Sequence, residues 1–302
     1  MAIYSIRDLE MLSGIKAHTI RMWEKRYGFL QPHRTDTNIR YYLDEDVKLL
    51  LNAALLNRNG YKISKIASMS QEEINQAILR ISEDKFDTQL QSDALTLSML
   101  ELDESKFEVT IEQRIKEIGF KETMIQVVFP FLNRLSVLWM TGSVLPVQEN
   151  YIAGLIRQKL YVAIDGLPIP KKSAKTFMLY LPEQEEQELS ILFIQYLLRQ
   201  QGFKVLNLGR NISLEDINKA FKIQPSDYVF TIINDGLFKQ PIKEYVDQLS
   251  LHCRSAKILL TGIQISRHQI KSRKNWVTFE GLEEIMDYFK DLDSLGSQAP
   301  DN

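Results

Sequence analysis

Residues 4 to 42 constrain this 302-residue chain more than any other stretch. Two short amphipathic segments meet at Ser13-Gly14 and run into an irregular segment carrying Arg34, Arg40, Tyr41 and Tyr42. Ser5 is a good N-cap and Asp8 follows three residues later, a weaker form of the capping box, which predicts a helix over Ile6 to Leu12. Gly14 ends it. A second helix is predicted from about Ile15 to Tyr27. At roughly 100 degrees per residue, Ile20, Trp23 and Tyr27 share one face, while His18, Arg21 and Lys25 lie opposite.

A helix with a packed face and a face of hydrogen-bond donors, set behind a short helix and a glycine turn, is a helix-turn-helix arrangement. Its second helix is the one offered to the major groove of double-stranded DNA. Thr19 and Arg26 flank the donor stripe. The plainer reading makes Arg21, Lys25 and Arg26 ordinary solvated charges, and the helix alone leaves the two even. The next segment shifts the balance. Gly28, Pro32, Thr35, Asp36, Thr37 and Asn38 are turn formers, and Arg34 and Arg40 between them make a hairpin-like wing with cationic sides.

The run from His18 to Gly28, followed by Arg34 and the Arg40-Tyr41-Tyr42 close, resembles the winged-helix head of the MerR family of bacterial transcriptional regulators. The resemblance covers about the first 70 residues. It implies that the second helix enters the major groove and that Arg34, Arg40 and Tyr42 grip the backbone beside it. With the helix donors, it gives His18, Thr19, Arg21, Lys25, Arg26, Arg34, Arg40, Tyr41 and Tyr42 as the DNA-binding set. Asp44 is expected to cap a third helix that starts with Glu45 and Asp46 and ends at Arg58 before Gly60. Tyr61, Lys62 and Lys65 open a shorter helical pair, a further wing by the resemblance or a purely structural element.

Charge agrees with a confined polyanion contact. Residues 1 to 68 hold 11 Lys and Arg against 7 Asp and Glu, whereas the rest hold 26 against 32. The single cysteine, Cys253, excludes an intramolecular disulfide and a cysteine-built zinc site, and no metal site is expected. The most apolar stretch, Met124 to Met140, is interrupted by Gln126, Asn133 and Arg134 and fits a bundle helix better than a membrane span. With no signal peptide visible, the expected location is cytoplasmic, with no membrane partner.

The expected architecture is multidomain: an all-α winged helix-turn-helix head (1–70), a helical bundle (71–167) and an α/β doubly wound parallel sheet, Rossmann-like (173–295). From Ser70, with Glu73 completing a second capping box, helical periodicity carries Phe86, Leu90 and Leu97, then Phe107, Ile111 and Ile118. Two longer helices follow at about Glu122 to Thr141 and Val147 to Asp165, separated by Gly142 and Pro146. Pro168 to Ser173 is the linker. Beyond it, Thr176–Tyr180, Phe203–Leu208, Tyr228–Ile233, Lys257–Thr261 and Trp276–Phe279 read as strands alternating with helices, which implies a parallel sheet. No glycine-rich phosphate loop follows the first strand, which disfavours nucleotide binding.

Bundle and sheet behind such a head resemble the MerR-type regulators that carry a cobalamin-binding module as a light or ligand sensor. Those bundles carry Trp, nine residues, then Glu-His. Here Trp139 is followed at that spacing by Glu149, with Asn150 at the histidine position. Singly, Trp139 reads as a core aromatic and Glu149 as a first-turn acid. The related sheet domains supply a lower cobalt ligand from an Asp-x-His-x-x-Gly loop, where this chain has Glu185-Glu186-Gln187-Glu188-Leu189-Ser190. Gln187 at the histidine position is a poorer donor to cobalt than an imidazole. The later Ser and Gly-Gly signatures become Thr231 and Thr261-Gly262. Cobalamin is therefore disfavoured, and a cofactor-free module for oligomerisation, or for an unknown small-molecule ligand, is expected.

The expectation is a sequence-specific DNA-binding transcriptional regulator that acts as a homo-oligomer on two-fold sites. Two alternatives stand beside it: a corrinoid carrier or methyl-transfer protein, and a protein-interaction module with weak DNA binding. The four histidines, His18, His33, His252 and His268, are scattered, so no catalytic residue and no enzymatic activity are assigned.

Overall fold

Ser5 opens the first helix as its sequence predicts. Its hydroxyl accepts from the Asp8 amide at 3.3 Å, and the Asp8 carboxylate accepts from the Ser5 amide at 2.7 Å. The computed structural model describes residues 4–34, 38, 40–70, 72–74, 77, 88–140, 144–234 and 241–296, without the side chains at 88–90, 136–140 and 293–296. Thr35, Asp36, Thr37, Phe86, Gly142 and the side chains of Leu90 and Trp139 therefore lie outside the described residues. The chain forms two compact units, residues 1–155 and 156–302.

In the first unit, α1 (Ile6–Ser13) ends at Gly14, whose φ of 69° is the left-handed conformation that favours glycine. Helix α2 spans Ala17–Tyr27, two residues shorter at its start than expected. The reason is Glu10: its carboxylate accepts from the Ala17 amide at 2.9 Å and from Lys16 Nζ at 2.9 Å, so an acid on α1 caps α2. Two short antiparallel strands, β1 (His33–Arg34) and β2 (Arg40–Tyr41), form the wing. A reciprocal pair of 2.9 Å backbone bonds between Tyr4 and Tyr42 ties it to the start of the chain.

Helix α3 (Asp44–Arg58) begins one residue earlier than an Asp44 cap requires. Leu43 is the N-cap, its amide bonded to the Asp46 carboxylate at 2.9 Å, while Asp44 accepts from the Tyr4 hydroxyl at 2.8 Å. A single turn, α4 (Ile63–Ile66), follows. Tyr4, Leu9, Leu12, Ile20, Trp23, Tyr42, Leu50 and Leu51 are buried as the core of the head.

The bundle helices are α5 (Thr88–Glu101), α6 (Glu104–Ile118), α7 (Phe120–Thr123), α8 (Phe129–Met140) and α9 (Pro146–Asp165). Asp103 caps α6 by accepting from the Lys106 amide at 3.0 Å. Between α7 and α8 lies a π-helical turn, Met124–Val128, which the apolar periodicity does not announce. It ends two residues before Pro130, whose missing N–H and bulky ring obstruct a regular α-helical ladder. Phe107, Ile111, Phe131, Ile152 and Leu160 are buried.

The second unit is the expected doubly wound sheet. Strands β3 (Thr176–Tyr180), β4 (Lys204–Asn207), β5 (Tyr228–Ile232), β6 (Lys257–Thr261) and β7 (Trp276–Phe279) run parallel in the order β4-β3-β5-β6-β7. Helices α10 (Glu188–Gln200), α11 (Leu214–Ile223), α12 (Ile242–His252), α13 (Ile263–Arg267) and α14 (Leu282–Gly296) alternate with them. On one face Met178, Tyr180, Val229, Tyr245 and Leu249 join a single core cluster. On the other, Phe177 stacks on Tyr228 at 4.5 Å and meets Phe289 edge-on at 5.8 Å. The chain reverses direction across the sheet between β3 and β5, the position where open α/β sheets bind ligands.

Candidate nucleic-acid interface

The two faces of α2 are fixed by what each can bury. Ile20 and Trp23 are buried, and Phe29 beyond the helix packs edge-on against Trp23 at 6.2 Å. Tyr27 is half-buried, and the Arg26 guanidinium lies over its ring at 5.5 Å. On the other face His18, Arg21, Lys25 and Arg26 are exposed and Thr19 is half-buried. Among the described residues no carboxylate pairs with Arg21, Lys25 or Arg26. These three cations stand on a rigid element with their donors free for an external anion.

Glu24, on the same helix, does the opposite. Its side chain is only 8% exposed and faces the wing, 3.7 Å from Arg40 Nε, and it accepts a short hydrogen bond from the Tyr42 hydroxyl. Tyr42 is fully buried, so its expected grip on the DNA backbone is corrected: it is a strut between the wing and α2. Burial, then the bond to Glu24, pushes its phenol well above the usual value. Arg40 keeps its side chain 40% exposed and can meet Glu24 and a phosphate together. Arg34 is exposed and donates to Asn38 Oδ1 at 2.6 Å, holding the wing turn where Asn38 is left-handed at φ 64°. Tyr41, half-buried, stacks on His33 at 5.2 Å. At α4, Lys62 and Lys65 are exposed, with Lys65 Nζ 5.5 Å from the Tyr61 ring centre.

The residues singled out for a cofactor are divided between the two units. Trp139 lies in α8, and Glu149 and Asn150 are exposed near the start of α9. Gln187 is exposed at the N-cap of α10, with Ser190 Oγ 3.5 Å from its amide oxygen. Thr231 is buried inside β5, and Thr261 Oγ1 donates to the Phe279 carbonyl at 3.0 Å. Gly262 is required by the chain itself: with φ 118°, a Cβ there would lie 2.3 Å from the Ile233 carbonyl oxygen.

Sequence reasoning missed the bonds that organise the carboxyl edge of the sheet. Glu185 is buried and accepts from the Asn234 amide at 2.6 Å. Asn234 in turn accepts from the Ile263 amide at 2.9 Å through its side chain and from Gln264 Nε2 at 3.1 Å through its carbonyl. These bonds link the loops after β3, β5 and β6 across the β3/β5 switch point. A His-ligated cobalamin does not fit these residues, since the lower-ligand position holds an amide and the adjoining acid is committed to the protein backbone. No helix among the described residues is long and apolar enough to cross a membrane.

Comparison with known proteins places these two ends of the chain. Residues 4–73 match the family described as MerR HTH family regulatory protein. The HTH-type transcriptional repressor CarH of Myxococcus xanthus is 25% identical over 232 residues, covering 75% of this chain and 77% of that protein. The HTH-type transcriptional regulator MlrA of Escherichia coli is 34% identical over 73 residues, 24% of this chain and 30% of that one. In fold, the chain is similar to the monomethylamine corrinoid protein of Methanosarcina barkeri, with a TM-score of 0.55 at 14% identity over 68% of this chain and all of the other.

Proposed function

Taking the chain as a MerR-type helix-turn-helix regulator joined to a cobalamin-binding-like domain, we propose that it reads operator DNA with α2 and controls transcription at a promoter. The observation that carries this is the pairing of a buried Ile20/Trp23 face with exposed Arg21, Lys25 and Arg26 that no carboxylate neutralises among the described residues. His18 and Thr19 join them at base edges or nearby phosphates, while Arg34, Arg40 and Tyr41 hold the backbone.

The functional division we propose is 1–70 for reading, 71–167 for the bundle and 173–295 for the sheet, in a cytoplasmic homo-oligomer on a two-fold site. The sheet domain takes no corrin through a histidine, a reading supported by Gln187 at the ligand position and the Glu185–Asn234 bond. It serves association or an unidentified small molecule, and no residue is given a catalytic role. Arg21→Ala tests the core of this reading. By fluorescence anisotropy on the natural promoter it should weaken binding by about 1 to 3 kcal/mol while leaving affinity for unrelated duplex nearly unchanged. Equal affinity of variant and parent for the promoter overturns it.

A further inference from the structure

Parallel topology brings every strand start to one edge of the sheet, and in this chain that edge is cationic. The loop ahead of β3 carries Lys171, Lys172 and Lys175, and the loop ahead of β7 carries Lys271, Arg273 and Lys274. The two loops stand three inter-strand steps of about 4.8 Å apart, roughly 14 Å. The opposite, carboxyl edge carries Glu183, Glu185, Glu186 and Glu188, so the sheet separates its charge.

Helix dipoles do not account for this. A cation in the last turn of a helix is favoured by the dipole, and that covers Arg199 on α10 and Lys222 on α11. The six loop cations lie outside any helix. Both loops are also held in place. Lys204 Nζ, at the start of β4, donates to the Lys172 carbonyl, and Lys257 Nζ, at the start of β6, donates to the Lys274 carbonyl at 2.6 Å. Ser272 Oγ accepts from the Thr278 amide at 3.0 Å, and the Arg273 guanidinium stacks over Trp276 at 5.1 Å. Among the described residues the one carboxylate at a strand start, Asp227, is engaged by the Thr176 amide at 2.7 Å. Lys171, Lys172, Lys271 and Lys274 are exposed and have no carboxylate partner among the described residues.

We propose that this edge is a sequence-independent contact for the phosphate backbone of duplex DNA, distinct from the reading helix. Anchored loops present two cation clusters on one edge of the sheet, an arrangement suited to phosphate binding with counterion release. The choice of DNA over another polyanion rests on the proposed function.

The test measures binding of the full chain to the operator and to an unrelated duplex between about 50 and 200 mM salt. A variant with Lys171, Lys172, Lys271 and Lys274 all changed to Gln should give a log-log salt slope shallower by about two to three units on both duplexes. Its ratio of operator to unrelated affinity should be unchanged, and the corresponding Lys→Arg variant should keep the parental slope. Thermal unfolding should match the parent, because the carbonyls used by Lys204 and Lys257 are retained. A parental slope in the Gln variant overturns the proposal. So does a parental DNA slope with lost binding to polyglutamate, which would assign the edge to an acidic protein. Arg21→Ala, run in parallel, should lose the affinity ratio instead, so failure of the reading helix and failure of the edge give different results.

Discussion

Arg58 Nη1 lies 2.6 Å from Asp93 Oδ2, joining the last residue of α3 to a fully buried carboxylate on α5. The other amine of the same guanidinium donates to the Ser13 carbonyl at the end of α1. On the far side, Arg134 Nη2 holds Asp93 Oδ1 at 3.1 Å and Nη1 reaches Ser92 Oγ at 3.1 Å. The helix-turn-helix corner is thus connected to two bundle helices through one acid, and burial depresses the Arg134 guanidinium below its usual value.

Removing that acid leaves two guanidiniums facing each other without compensation. Asp93→Asn should lower the stability of the first unit by about 3 to 5 kcal/mol, read from the midpoint of urea unfolding. A loss under about 1 kcal/mol would reduce the cluster to a surface-like ion pair.

The wing should separate contact from support. Arg40→Ala should weaken operator and unrelated DNA alike and flatten the salt slope by roughly one unit. Tyr42→Phe removes the bond to Glu24 and should cost about 1 to 2 kcal/mol of folding stability with no change of slope. Were Tyr42→Phe to alter the slope as Arg40→Ala does, the strut assignment would fall.

Much of this was legible before the fold, and the exceptions share a cause. The sheet strands are recoverable because runs such as Tyr228–Ile232 are β-branched or aromatic and flanked by turn residues. The α2 donor stripe follows from helical period alone. Tyr42 was misplaced although its neighbour gave a signal: consecutive residues of an extended segment point to opposite sides, so a part-exposed Tyr41 turns Tyr42 inward. Glu10 on Ala17, Arg58 on Asp93 and Glu185 on Asn234 join residues 7, 35 and 49 positions apart. Tertiary packing selects such partners, and local periodicity carries no record of them.

Gly262 tests the account of the carboxyl edge. Ala in its place has to adopt φ 118° and push against the Ile233 carbonyl, so Gly262→Ala should destabilise the second unit by about 2 to 4 kcal/mol in chemical unfolding. Wild-type stability would mean that the loop after β6 yields freely.

Cys253 is fully buried, and burial pushes its thiol up to about 12. The folded state binds that proton more tightly than the unfolded chain, so its contribution to stability is complete below the unfolded thiol's pKa, near 8.5 to 9, and declines as pH rises toward 12. Iodoacetamide at about pH 8 should label Cys253 only in denaturant. Rapid labelling of the native chain would contradict its burial.

The most direct measurement of the central claim is methylation interference on the operator. Guanine N7 methylation in the major groove should block the parent protein at specific positions in each half-site, and Arg21→Ala should become insensitive at one of them. An interference pattern identical in parent and variant, or no interference from guanine methylation at all, would show that α2 does not read the groove.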